Sequence, residues 1–157
     1  MVQLKSIADL IRDNSFFTGM QEEYLDLISG CGANETYQAG EYLFREGGNA
    51  DKFYAIRHGG VALELYAPGR EPIILQTRRD GDIMGWSWFI PPYRWEWDAR
   101  ALQLTRVVSF DAACLRDKLE QDHSFAYEML RRFLPVIHDR MKAARLQMID
   151  MYGGHDK

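Results

Sequence analysis

The sequence predicts a mainly β domain, a sandwich or barrel of short strands, with short helices before it and one long helix after it. Glycines recur every several residues between about Asn34 and Asp111 and separate stretches rich in β-branched and aromatic residues. The residues before this region carry helix punctuation, and from Ser124 the apolar spacing changes to steps of four and three.

The first segment, residues 6–29, reads as two short helices. Ile7, Leu10 and Ile11 stand at helix spacing, and Asn14-Ser15-Phe16-Phe17 breaks the pattern. Thr18 then stands where an N-cap is wanted, followed by Glu22 and Glu23, which favour the positive end of a helix, and by a Tyr24, Leu25 and Ile28 stripe. In the middle segment, residues 34–111, Gly40, Gly47-Gly48, Gly59-Gly60, Gly69, Gly81 and Gly85 mark the turns. Between them Val61, Leu63 and Leu65 alternate with Ala62, Glu64 and Tyr66, and Ile73 and Leu75 alternate with Ile74 and Gln76, the period of extended strands.

The last segment, residues 112–152, is helical. Leu130, Leu134, Ile137, Met141, Ala144, Met148 and Met151 form a heptad seam, which predicts a helix that meets the same helix of a second copy. Met129, Phe133, Val136, Ala143 and Ile149 form a second apolar flank, so the body of the same domain is the competing partner. Pro135 removes a hydrogen bond to the Arg131 carbonyl, and a kink is expected there.

Composition limits the function classes. A chain of 157 residues is expected to form a single domain over residues 1–157. It has no uncharged apolar run of about eighteen residues to span a bilayer, and Asp9 and Arg12 interrupt the start too early for an export signal. Cys31 and Cys114 are far apart, with no CxxC pair or cysteine–histidine cluster, which argues against a disulfide scaffold, a zinc site or an iron–sulfur centre. Cys114 is expected inside the helical part, and a cytoplasmic location fits this cysteine usage. A net charge of −4 with scattered cations is a poor footprint for DNA binding.

The stretch GEYLFREGGNADKFYAIRHGGVAL, Gly40 to Leu63, resembles the cyclic-nucleotide-binding domain of Crp/Fnr-type bacterial regulators. The matching features are Gly40, Leu43-Phe44, Gly47, Asp51, Phe53-Tyr54, Ile56, and Gly59 followed by Val61. FFTGMQEEYLDLI looks like the segment that precedes the roll in that family, and GDIMG, Gly81 to Gly85, looks like the start of its phosphate-binding cassette. The resemblance implies a β jelly roll of about eight strands, with short N-terminal helices and a long C-terminal helix, acting as a non-catalytic ligand-sensing or regulatory module.

The cassette departs from the family's pattern. The family holds a cyclic phosphate with backbone N–H groups and an arginine, while a glutamate takes the ribose hydroxyl. In the matching positions Trp86 replaces the glutamate, Trp88 a small residue, Trp95 the arginine, Glu96 the hydroxyl residue and Trp97 an alanine. Arg94 is one residue out of register, and a one-residue slip turns a strand side chain to the opposite face. Tyr93, Trp95, Trp97, Ala99 and Ala101 are expected on an apolar face, with Arg94, Glu96, Asp98 and Arg100 towards solvent.

The candidate ligand-binding residues are Gly81, Asp82, Met84, Gly85, Trp86, Ser87, Trp88, Arg94, Trp95 and Trp97. Three readings of the tryptophan-rich window stand side by side. The indoles fill the roll as core, line a remodelled pocket for a cyclic nucleotide or another small anionic or aromatic ligand, or form a surface patch for a protein partner. The first and last make the chain a structural or interaction module with a plugged pocket. His58, His123, His138 and His155 lack metal-like neighbours, and no local motif marks a catalytic group, so no metal, cofactor or enzymatic activity is expected. After Tyr152 only five residues remain, so no helix-turn-helix is expected, and a regulatory role would act through a homodimer or a protein partner rather than on DNA or a membrane.

Overall fold

The computed structural model describes residues 5–153. Helix α1 (Ile7–Arg12) opens on a capping box in which Ser6 and Asp9 satisfy each other's backbone N–H groups. A 3-10 turn (Ser15–Phe17) follows, capped by Asn14, and then α2 (Glu22–Ser29). Thr18 is therefore not the cap of α2. That position is Gln21, whose side chain makes no capping bond, and Thr18 closes the 3-10 turn because the Asn14 side chain has already taken the Phe16 N–H.

Eight strands follow: β1 (Gly32–Tyr37), β2 (Tyr42–Phe44), β3 (Lys52–His58), β4 (Gly60–Leu65), β5 (Ile73–Arg79), β6 (Ile83–Met84), β7 (Asp98–Ala101) and β8 (Thr105–Asp111). They form two four-stranded antiparallel sheets, ordered β1-β8-β3-β6 and β2-β7-β4-β5. A second 3-10 turn (Ser87–Phe89) sits between β6 and β7, and α3 (Ala112–Gln121) and α4 (His123–Gly153) complete the described chain. The fold is mainly β with flanking helices. The Phe53–Ile56 run of β3 is buried throughout, because one face lies inside the roll and the other is covered by helices.

Outside the first sheet, Phe53 stacks on Phe110 at 4.5 Å, and Phe17 joins Phe110 at 5.8 Å. Helix α4 docks here through Phe133, which meets Phe53 edge-on at 5.3 Å. It continues through Pro135 as one element. Its roll-facing side buries Phe125, Met129 and Phe133, but the predicted flank does not persist: Ile149 is exposed and Ala143 only half-buried. The tail beyond Gly153, including His155, lies outside the described residues. No helix among the described residues is long and apolar enough to cross a membrane.

Cys31 and Cys114 form a disulfide, contrary to the sequence expectation. Their separation of 83 residues hides a short distance in space. Gly32 pairs with Phe110 in the β1–β8 ladder, so the residue before β1 meets the first turn of α3. A cross-link over a loop this long restricts the unfolded chain strongly. Reduction with dithiothreitol, or Cys114→Ser, is expected to lower the unfolding free energy by about 2–4 kcal/mol in urea titration, leaving the far-ultraviolet spectrum unchanged.

Candidate functional site

The cassette opens at Gly81, whose φ of +87° turns the chain from β5 into β6. Gly81 donates its N–H to the Ile56 carbonyl, and the Asp82 carboxylate accepts the Arg79 N–H at 2.8 Å. Asp82 is thus committed to the turn. Met84 is buried opposite Tyr54 in the β3–β6 pair. At Gly85 φ is +92°, and a Cβ there would come within 2.7 Å of the Trp95 ring, so the indole at the family's arginine position lies directly over the cassette glycine. Trp95 is also stacked on Phe44, with ring centroids 3.7 Å apart.

The four tryptophans do not act as one unit. Trp95 fills the inner side of the roll, in a stack continued from Phe44 to Tyr54. Trp88 turns the other way, between the first sheet and α4, 5.2 Å from Phe53 and 5.6 Å from Phe133. Trp86 and Trp97 meet edge-to-face at 5.0 Å, Trp97 buried and Trp86 only partly so. Ser87, between these diverging rings, is buried at the start of the 3-10 turn.

Arg94 does not enter the roll. It is exposed, with its guanidinium 3.4 Å from the Gly47 carbonyl, because residues 93–95 pair with the Gly47–Ala50 loop: Gly47 and Ala50 donate to the carbonyls of Trp95 and Tyr93. The alternation expected from Tyr93 onwards holds for burial of Trp95, Trp97, Ala99 and Ala101, although β7 itself begins only at Asp98. The polar face is not all solvent-facing. Asp98 is buried, accepting the Glu46 N–H at 2.7 Å beside Arg45, and across the ladder the buried Glu64 binds Arg100 at 2.6 Å.

Two arginines that the sequence did not single out touch this region. Arg116 of α3 donates to the Trp88 carbonyl at 2.7 Å and lies over the ring of Tyr93, whose φ is +57°. Arg140 of α4 lies over the Trp97 ring, 5.5 Å from its centroid. It is 8% exposed, and its Nε and Nη1 have no hydrogen-bond partner among the described residues. The Trp97 indole N–H and the Gln76 Oε1 are likewise buried and unpaired. The ladder places Gln76 opposite Leu63 and Leu63 opposite Ala99, and Arg78 opposite Val61 and Val61 opposite Ala101, so Gln76 and Arg78 share the inward face with Trp97's neighbours. One sequence signal marks Arg140. The roll-facing stripe Met129, Phe133, Val136 and Ala143 has a polar residue at its intervening step.

On the flank of α4 about a quarter-turn round from the roll-facing side, the seam residues Leu130, Leu134, Met141, Met148 and Met151 are exposed, and Ile137 and Ala144 are half-buried. Among the described residues no cluster of three or more His, Cys, Asp or Glu side chains is arranged to hold a metal ion. His58 is exposed and 3.4 Å from Asp80.

Residues 34–122 match the family profile described as the cyclic nucleotide-binding domain. The chain belongs to this family. A segment of 85 residues, 54% of this chain, is 31% identical to cyclic nucleotide-gated ion channel 18 of Arabidopsis thaliana, but spans only 12% of that channel. Family members of known structure with the same fold include a cyclic nucleotide-binding domain from Methylobacillus flagellatus, at a TM-score of 0.76 and 16% identity over 93% of this chain and 82% of that one. A cyclic nucleotide-binding-type protein of Geobacter metallireducens superposes with a TM-score of 0.75 and 24% identity over 88% of this chain and 99% of that one.

In this family frame, Trp95 is a packing residue at the cassette. Trp95→Ala should cost about 3–5 kcal/mol in equilibrium unfolding, the loss typical of a large buried aromatic. Gly85→Ala should also destabilise, by strain at positive φ of about 1–3 kcal/mol and by collision with the indole. Combined with Trp95→Ala, the glycine change should cost less than it does alone.

Proposed function

We propose that this protein is a non-catalytic, dimeric regulatory module whose roll senses a small molecule without the family's usual hold on a cyclic nucleotide. The observation that carries this reading is the Trp95 ring over Gly85, stacked on Phe44. A cyclic phosphate needs a cation and open backbone at that point, and an indole supplies neither. Glutamate and arginine are both replaced, at Trp86 and Trp95, and Arg94 points away. Losing one charged partner of such an anion costs about 2–5 kcal/mol, or roughly 30-fold or more in affinity.

A plugged structural or interaction module is the rival reading, supported by the burial of Trp88, Trp95 and Trp97. The unpaired Arg140, Gln76 and Trp97 groups favour sensing. A roll selected only to be filled gains nothing from a desolvated guanidinium without an acceptor. The exposed seam supports dimerisation, because one flank of α4 is already committed to the roll while five long apolar side chains on the other remain uncovered.

Titration calorimetry with cyclic AMP and cyclic GMP at millimolar concentration should show no binding heat, and saturable binding of either in the micromolar range would refute the blocked cassette. Sedimentation at tens of micromolar should give twice the mass of the 18.2 kDa chain. Leu134→Glu, which places a charge on the seam without touching the roll, should give the single-chain mass with an unchanged circular dichroism spectrum. A monomeric parent protein would remove the dimer from the reading.

A further inference from the structure

We infer that Arg140 seats a small oxyanion, a carboxylate or phosphate carrying a neighbouring hydroxyl or N–H, at the mouth of the roll between α4 and β5. This rests on the reading that the roll takes a ligand, and adds where the charge is held and what chemistry is recognised.

The groups left unpaired there specify the ligand. Nε and Nη1 of Arg140 and Nε1 of Trp97 are donors without acceptors, and all three atoms are buried. A guanidinium presents its N–H groups in a planar fork that matches two oxygens of a carboxylate or phosphate. The Trp97 ring attracts the cation from one side, 5.5 Å from centroid to guanidinium carbon, but offers no oxygen. Arg78 adds a second positive charge on the same face of the roll; burial, and then this neighbouring charge, hold the Arg140 guanidinium below its ordinary pKa. Two like charges brought together without a counter-charge favour an anion between them. On the inward face Gln76 supplies an unpaired acceptor, Oε1, which calls for a hydroxyl or N–H on the same ligand.

A cleft of about 520 Å³ lies between α4 and the β5–β6 turn, bordered by Arg78, Asp82, Arg131, Val136 and Asp139. Arg78 lines this cleft and its charge is felt by Arg140, so the proposal has the anion enter past Arg78. The carboxylates of Asp82 and Asp139 stand in this outer part; Asp82 already receives the Arg79 N–H.

The test is thermal unfolding of the full chain by differential scanning calorimetry, titrated with inorganic phosphate or salicylate against sodium chloride at equal ionic strength. Salicylamide serves as the uncharged control. Both oxyanions should raise the midpoint of the parent protein, and salicylamide should not. Arg140→Gln should fold, unfold at an equal or higher temperature without ligand, and bind each anion about 30-fold more weakly or worse. Arg140→Lys, which keeps the charge and loses the fork, should fall between them.

No anion-specific response in the parent protein would overturn the assignment of an oxyanion. An equal response in the parent and Arg140→Gln would place the anion elsewhere, overturning the seat while leaving a ligand-sensing roll intact. If Arg140→Gln unfolds, full retention of affinity in Arg140→Lys would show that only charge matters and overturn the forked contact. Micromolar cyclic AMP binding unaffected by Arg140→Gln would refute both the blocked cassette and the helix-borne seat.

Discussion

Phe53 is the point on which the arrangement depends. Its ring, fully buried, stacks on Phe110 and Trp88 and meets Phe133 edge-on at 5.3 Å, so one side chain ties β3, β8, the cassette and α4 together. Each such aromatic pair adds about 0.5–1.5 kcal/mol beyond the area it buries, but the geometric consequence is larger than the energy. A helix rises 1.5 Å per residue, so fixing Phe133 fixes the side chain two turns later, and that side chain is Arg140. The guanidinium stands over Trp97 because Phe133 is held by Phe53. Trp88 shares the cluster, so movement of the cassette cannot be independent of movement of the helix.

The tryptophan-rich window is therefore three structures in succession. Trp88 faces outward from the roll to the helix layer, Trp95 faces inward over Gly85, and Trp86 and Trp97 meet near the roll mouth beneath Arg140. Apolar surface stands at the cassette, and a buried arginine stands on α4. In the family's arrangement the roll supplies both the cation and the hydroxyl acceptor. Here the inward cations are Arg78, at the end of β5, and Arg140, on the helix. On the proposed reading, anion recognition moves from the cassette turn to the helix–roll boundary, where it and helix position would involve the same side chain.

The glycine spacing made the roll legible, because turns with positive φ at Gly40, Gly47, Gly59, Gly81 and Gly85 restrict residue choice locally and leave a readable pattern. The four-three spacing of α4 was legible for the same reason, being set by helix geometry within one element. What escaped was set by partners distant in sequence. The Cys31–Cys114 bond depends on the β1–β8 ladder. The burial of Asp98 depends on the Glu46 N–H fifty-two residues away. In each case residue type indicated solvent or a free side chain, and a long-range hydrogen bond or covalent contact prevailed. Arg140 is intermediate: the break in the stripe was visible, but only the docking of α4 shows that the break falls over Trp97.

That docking gives α4 two unequal faces. One is buried as far as Phe133 and then becomes polar at Arg140 and at Gln147, which binds the Ile74 and Leu75 carbonyls. The other is an uninterrupted apolar seam, with Met141 immediately next to Arg140. An acceptor supplied to Arg140 relieves the desolvation cost of a buried cation only while α4 lies against the roll. A ligand shifts a conformational equilibrium by its differential affinity for the two states, and on the proposed reading that differential contact would be a single guanidinium. Because the seam and the guanidinium belong to one continuous helix, the proposed anion and the proposed dimer would be coupled: an anion that favours the docked position would also set how the seams meet, and by reciprocity dimerisation would change the affinity for the anion by the same factor.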